Sequence, residues 1–204
     1  MTSSPGRTRM TPDERREQLL ELGVRLFSTR SLDELSIETL SEEAGISRGL
    51  LYHYFGNKRD FHRAVVRKAA DDLIRVTAPV QQGEPLERLA RSLDAYVAYV
   101  EENYAGYTSL VRAAAGGDDD LRDIYEEARA ALTDRIFDEP DSDRVLDALS
   151  IVDTPAVRLM VRGWSSMTEA VVIAWVRHHD GVSRAELLSL LAGALPGVLA
   201  GRPT

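Results

Sequence analysis

Apolar residues recur along most of this 204-residue chain at three- and four-residue intervals, the spacing that gathers them on one face of a helix. No segment alternates apolar and polar residues well enough to predict a strand, so the expected fold class is all-α. Leu19, Leu22, Leu26 and Phe27 mark a first helix ending near Thr29. Thr11-Pro12-Asp13-Glu14 opens it with a hydroxyl cap, a proline at the first helical position and a glutamate at the third. A second apolar set, Ile37, Leu40, Ala44, Ile46, Leu51, Tyr54 and Phe55, is split by Gly45 into two short helices. Gly45 suits a turn needing positive φ, and Ser47 caps the helix after it. Asn57 caps a longer helix that carries Phe61, Val65, Val66, Leu73 and Ile74 to about Thr77, with Asp60 placed to return the capping bond.

Pro79, Gly83 and Pro85 then break the pattern. Beyond them helices are expected near 85–103, 105–115, 118–137, 155–178 and 184–200. Residues 138–153, with Pro140 and scattered aspartates, read as a loop or short helix. Gly116-Gly117 stops one helix, and Asp118-Asp119-Asp120 starts the next at the positive end of its dipole. Thr154-Pro155 is a further helix start, and Ser183-Arg184-Ala185-Glu186 has the form of a full capping box.

The last two segments differ from the rest. Residues 170–176 are apolar on every face, and Leu187, Leu188, Leu190, Leu191, Leu195, Val198 and Leu199 fill much of the final helix. Apolar residues all round a helix mean burial on more than one side, which points to a partner surface. Gly163, Ser165, Ser166, Ala174, Ala192, Gly193 and Ala194 are small enough for close helix approach. Pro196 is expected to end the final helix near itself.

Composition narrows the class. With 44% hydrophobic and 28% charged residues the chain is globular rather than disordered. No run approaches the roughly 18 uninterrupted apolar residues of a membrane span. The polar start MTSSPGRTRM lacks the apolar stretch of a signal peptide, and a cytoplasmic location is expected. The absence of cysteine excludes disulfides, thiolate metal sites and a catalytic thiol. The net charge of -8 is unevenly divided: residues 1–75 carry net +1 and residues 76–204 net -9. Phosphate binding requires local cations rather than a basic whole, so this balance leaves nucleic acid open without suggesting it.

Residues 36–62 carry the chemistry. Two short helices joined at Gly45 are helix-turn-helix grammar, and the second begins Ser47-Arg48-Gly49-Leu50-Leu51-Tyr52-His53. A recognition helix reads base edges mainly from its N-terminal residues, and this one offers a guanidinium, a glycine for close approach and a phenol. Leu26-Phe27, Ser36, Ala44-Gly45-Ile46-Ser47, Gly49, Tyr52, Phe55, Lys58 and Phe61, in this order and spacing, resemble the N-terminal domain of the TetR/AcrR family of one-component transcriptional regulators. The resemblance covers about residues 12–66. Ser31 stands where the family usually has Gly, Ser41 where it has Ala, and Leu50 where it has a small hydroxyl residue.

That resemblance implies a flexible arm over 1–11, a DNA-binding domain over 12–77 with its helix-turn-helix at about 36–55, and a ligand-binding and dimerisation domain over 78–204. It places Ser36, Thr39, Ser47, Arg48, Gly49, Leu50, Tyr52, His53 and Lys58 against double-stranded DNA, a pseudo-palindromic operator. Arg7 and Arg9 of the arm have two readings, a plain tail or a minor-groove contact. A small-molecule effector would sit among Tyr96, Tyr99, Tyr107, Phe137, Met160, Trp164 and Met167, residue types that also serve as plain helical core. Tyr104 belongs to the same aromatic run, and Arg112, Arg158 and Arg162 are candidates for an anionic group on the ligand. A homodimer would form through about 155–200. The implied role is a repressor released by a largely hydrophobic ligand; an activator, a co-repressed regulator, or a binding protein without DNA function are the alternatives.

No cofactor or catalytic residue is indicated. His178-His179-Asp180 puts its imidazoles about 100° apart on a helix, which prevents both facing one ion. Asp118-Asp119-Asp120 lacks calcium-loop spacing, and no nucleophile elbow or phosphate loop is present.

Overall fold

The computed structural model describes residues 11–80, 82–138 and 144–200; the arginine-bearing arm expected over 1–10 lies outside the described residues. The described elements are helical throughout: α1 (Pro12–Thr29), α2 (Ile37–Ala44), α3 (Arg48–Phe55), α4 (Lys58–Val76), α5 (Pro85–Glu102), α6 (Tyr104–Ala115), α7 (Asp119–Asp138), α8 (Val145–Ala148), α9 (Pro155–His178) and α10 (Arg184–Ala200).

The helix starts follow their caps. Thr11 and Glu14 exchange both bonds of a capping box, at 2.7 and 3.2 Å. The side chains of Ser36, Ser47, Asn57 and Thr154 each accept from the amide three residues on. Gly45 closes α2 in the left-handed conformation, φ 63 and ψ 36, as a single turn between two helices requires.

Three local expectations need correction. Asp60 does not return a bond to the Asn57 backbone; its carboxylate accepts from the Asn57 side-chain amide at 2.7 Å, while the Asn57 N–H donates to Phe55 O. At α10 the described contact is the Ser183 side chain accepting from the Glu186 amide, one half of the expected box. Pro196 lies inside α10, which continues to Ala200. Beyond it Leu199 is buried in the core, and that burial outweighs one lost backbone bond in the final turn.

Two apolar cores share α4. The first joins Leu19, Leu26, Phe27, Ile37, Leu40, Leu51, Phe55, Phe61 and Val65, and it also takes Leu110, Leu121, Ile124 and Ala128 from α6 and α7. The second is built on Leu73 at the end of α4 with residues of α5, α7, α8, α9 and α10, among them Val97, Leu146, Val161, Trp164 and Leu195. Residues 138–153 supply α8, whose Val145 and Leu146 are buried there. The reading unit is therefore seated on the larger helical body. At Gly106 a Cβ would stand 2.3 Å from Phe27 O, so only glycine lets α6 approach the end of α1 so closely. Leu32 N–H donates to Ser109 Oγ across the same junction at 2.9 Å.

Candidate nucleic-acid interface and internal cavity

The helix-turn-helix is held from inside and open outside. Ile37, Leu40 and Leu51 are essentially inaccessible and Phe55 is buried, with Ala44, Ile46 and Tyr54 packed at the margin. This fixes the rotation of α3 and turns Arg48, Gly49, Leu50, Tyr52 and His53 to the exterior. Tyr52 is 45% exposed and Leu50 38%, large values for such side chains on a domain of this size. Ser47 and Lys58 are also exposed, and Ser36 and Thr39 lie half-buried at the start of α2, their hydroxyls 3.0 Å apart. All nine of these residues come from α2, α3, the start of α4 and their caps.

Arg48 does not stand free. Its Nη1 is 3.3 Å from Glu38 Oε1 of α2, in a solvent-exposed pair. The structure also accounts for the family departures. Ser31 N–H and Oγ both donate to Glu34 Oε2 at 2.8 Å, which caps the turn before α2 without a glycine. Ser41 is buried and satisfies its hydroxyl on Glu38 O at 2.9 Å. Leu50 simply presents an apolar side chain on the outer face.

In the body a cavity of about 110 Å³ opens among α5, α7, α8 and α9, bordered also by the segment after α4. Leu89, Leu93, Leu132, Ile136, Val145 and Trp164 form its apolar walls. Of the residues expected at a ligand site, the structure brings together Tyr96, Tyr107 and Trp164. Tyr99 turns aside, its hydroxyl donating to Ala69 O of α4 at 2.7 Å. Phe137 is buried under the Arg158 guanidinium, 4.5 Å above its ring, and does not line the cavity. Met160 and Met167 do not line the cavity: they are 44% and 38% exposed, on the flank of the buried stripe of α9. Helical period places both on an apolar stripe, yet α9 has two such stripes, and only tertiary packing tells which one faces inward. Arg158 pairs with Asp153 at 2.6 Å and Arg162 is exposed, so neither reaches the cavity. Tyr104 and Arg112 border a separate groove between α6 and α9. His179 is the left-handed cap of α9, and its ring meets Trp175 edge-on at 4.4 Å.

At the polar end of the cavity sequence reasoning found Tyr96 and Tyr107 but missed Glu169, Tyr125 and Thr168. Glu169 accepts from Tyr107 OH at 2.7 Å and from Tyr125 OH at 2.5 Å, and Tyr96 and Tyr107 share a hydrogen bond of 2.8 Å. Thr168 Oγ1 is buried and, among the described residues, has no hydrogen-bond partner. Glu169 lies four residues from Ser165, on the same side of α9, and that spacing is the one sequence signal that marks it. At the other end Arg135 donates to Thr77 Oγ1 at 3.1 Å and to Ile74 O at 2.5 Å, tying the cavity rim to the last turn of α4.

Comparison with known proteins agrees with this architecture. Residues 19–65 match the profile described as bacterial regulatory proteins, tetR family, and residues 85–195 match the tetracyclin repressor-like C-terminal domain. The crystal structure of a tetR-family transcriptional regulator from Streptomyces coelicolor superposes with a TM-score of 0.76 at 32% identity, covering 95% of this chain and 92% of that one. The transcriptional activator FasR of Mycolicibacterium smegmatis is 26% identical over 145 residues, 69% of this chain and 65% of its own length. The transcriptional repressor KstR2 of Rhodococcus jostii is 27% identical over 132 residues, 63% of this chain and 61% of its own. The chain thus spans less than two thirds of the length of these two curated relatives. With both of its halves matched, the chain belongs to the TetR family of bacterial regulatory proteins.

Proposed function

We propose that this protein is a homodimeric, sequence-specific DNA-binding regulator of transcription, acting in the cytoplasm and released from its operator by a small, largely apolar ligand. The observation that carries the reading is the outward row Arg48, Gly49, Leu50, Tyr52 and His53 on a helix whose opposite face is locked in the core. Arg48 reaches guanine O6/N7 or a phosphate, and a good bidentate base contact contributes about 1–3 kcal/mol of discrimination. Ser36, Thr39, Ser47 and Lys58 flank it as backbone contacts, with the N-terminus of α4 adding amide donors.

A twofold partner is supported by the outer face of α9 and α10. Leu159 and Leu190 are 67% and 62% exposed, and Met160, Gly163, Met167, Ala170, Val171, Ala174 and Gly193 continue the surface between them. Pairing these faces sets two reading heads on successive turns of a pseudo-palindrome.

The cavity supports the ligand response. Ligand seated between Tyr96 and Trp164 meets Arg135, whose bonds to Ile74 and Thr77 hold the end of α4. A shift there moves the reading heads apart, and coupling of about 1–3 kcal/mol weakens DNA binding 5- to 150-fold.

Selection from a genomic fragment library at about 150 mM salt tests the reading, because specific binding survives there while non-specific binding fades. An enriched palindrome, lost in the Arg48→Ala/Tyr52→Ala variant, is the expected result. A folded dimer that enriches nothing, or a variant that enriches equally, refutes it.

A further inference from the structure

The polar end of the cavity has a direction. Tyr107 gives its only hydroxyl proton to Glu169 Oε1, and Tyr125 gives its proton to Oε2. A phenol has one proton to donate, so the 2.8 Å bond between Tyr96 and Tyr107 must run from Tyr96 to Tyr107. Three protons are thereby committed toward one carboxylate. What remains for a guest is acceptor capacity: the free lone pair of Tyr96 Oη and those of Glu169. Burial pushes the Tyr96, Tyr107 and Tyr125 phenols above their ordinary range, so each keeps its proton at neutral pH.

Two donors on the cavity wall are occupied. Trp164 Nε1–H is bound to Leu191 O at 3.0 Å and the Thr133 hydroxyl to Arg129 O at 2.7 Å. Arg129 sits over the Tyr125 ring at 5.3 Å and donates to Ser166 Oγ at 2.6 Å. Thr168 Oγ1 on the same wall is buried with no partner among the described residues, and its hydroxyl can give or take a bond. Glu169 is the one carboxylate among the cavity's described lining residues, with Arg88, Arg129 and Arg135 also along its walls.

We infer that the cavity selects a largely apolar molecule bearing a hydroxyl, held by donation to Tyr96 Oη, and that Glu169 sets this preference by orienting the tyrosine protons. Glu169 is a positioning residue; Tyr96 makes the contact. The inference rests on the cavity being the ligand site of the proposed regulator.

The test uses the full-length protein and two probes of equal heavy-atom count, 1-hexanol and hexan-2-one, titrated by calorimetry. Both probes are titrated in a Thr168→Val background, which removes the free hydroxyl on the same wall; there the ketone, which can only accept, leaves the Tyr96 Oη lone pair unmatched. A preference of about tenfold for the alcohol is expected, the usual penalty for one unmatched buried polar group. Glu169→Gln can face Tyr107 with either its carbonyl oxygen or its N–H, so the tyrosine protons lose their fixed direction and the alcohol preference narrows. Tyr96→Phe, which keeps the ring and removes the oxygen, abolishes the preference without relying on the Gln variant. Equal binding of the two probes by the Thr168→Val protein, or an alcohol preference that survives in folded Tyr96→Phe, overturns the relay while leaving the cavity as a ligand site. Binding of neither probe overturns the cavity reading and this inference together.

Discussion

Glu38 and Arg48 hold each other across the turn of the reading unit, and both are exposed to the solvent that DNA would displace. A carboxylate beside the recognition helix repels phosphate and occupies the guanidinium that should bind the base. Exposed pairs contribute about 0.2–1 kcal/mol, so Glu38→Gln is expected to tighten operator binding roughly two- to fivefold in a fluorescence anisotropy titration. Unchanged or weaker binding would show that Arg48 does not contact DNA. His62 presents the opposite situation, a titratable group turned inward. Its Nε2 lies 2.5 Å from Leu35 O, and burial, the largest cause, holds its pKa below the ordinary 6.5, with Lys58 adding to the effect. Leu35 O, Asp33 and Asp118 oppose it. The folded state therefore resists protonation while the unfolded chain accepts it, and stability falls as pH drops through about 6.5. Thermal melts between about pH 7.5 and 5.5 should show a loss in the native protein that is smaller in His62→Gln. Equal slopes would mean the imidazole charges without leaving its site.

Helix boundaries follow caps with little help from packing. The starts of α1, α3, α4 and α9 lie where hydroxyl and amide caps predict, because a cap satisfies its own helix's free amides within a single turn. The end of α10 lies elsewhere because Leu199 gains burial from a neighbouring helix, which the local sequence does not record. Close helix contact is equally invisible in sequence. Gly106 reads as an ordinary helical glycine, yet it seats α6 on Phe27 O. Gly106→Ala is expected to cost about 1–3 kcal/mol through overpacking against a rigid backbone atom. Scanning calorimetry should record that as a Tm lowered by roughly 5 °C, and an unchanged Tm would show that the α1–α6 junction yields freely.

The proposed dimer depends on surfaces that no single helix explains. Leu159 on α9 and Leu190 on α10 are among the most exposed apolar side chains described, and fully burying each contributes about 1.5–3 kcal/mol. Leu159→Asp together with Leu190→Asp should convert the dimer to a folded monomer by light scattering and abolish palindrome binding. Persistence of the dimer would place the interface elsewhere. The reading heads and the cavity are joined by α4, which belongs to both cores, so ligand response and DNA binding are expected to share one mechanical element.

Residues 11–62 could be read almost completely from the chain, because caps, a left-handed glycine and helical periodicity act over three or four positions. The exposed row Arg48, Leu50, Tyr52 and His53 was legible for the same reason: once Leu51 and Phe55 are core, the other faces of an eight-residue helix must point outward. The cavity was only half legible. Tyr96, Tyr107 and Trp164 announced themselves as aromatics on an inward face, whereas Met160 and Met167 had equal claims and lie outside. Period specifies that residues share a stripe, and only the neighbouring helices determine which stripe meets the core. Glu169 was missed because a carboxylate in a helix is ordinarily solvated. Its role exists only once Tyr107 and Tyr125, 62 and 44 positions away along the chain, are folded against it.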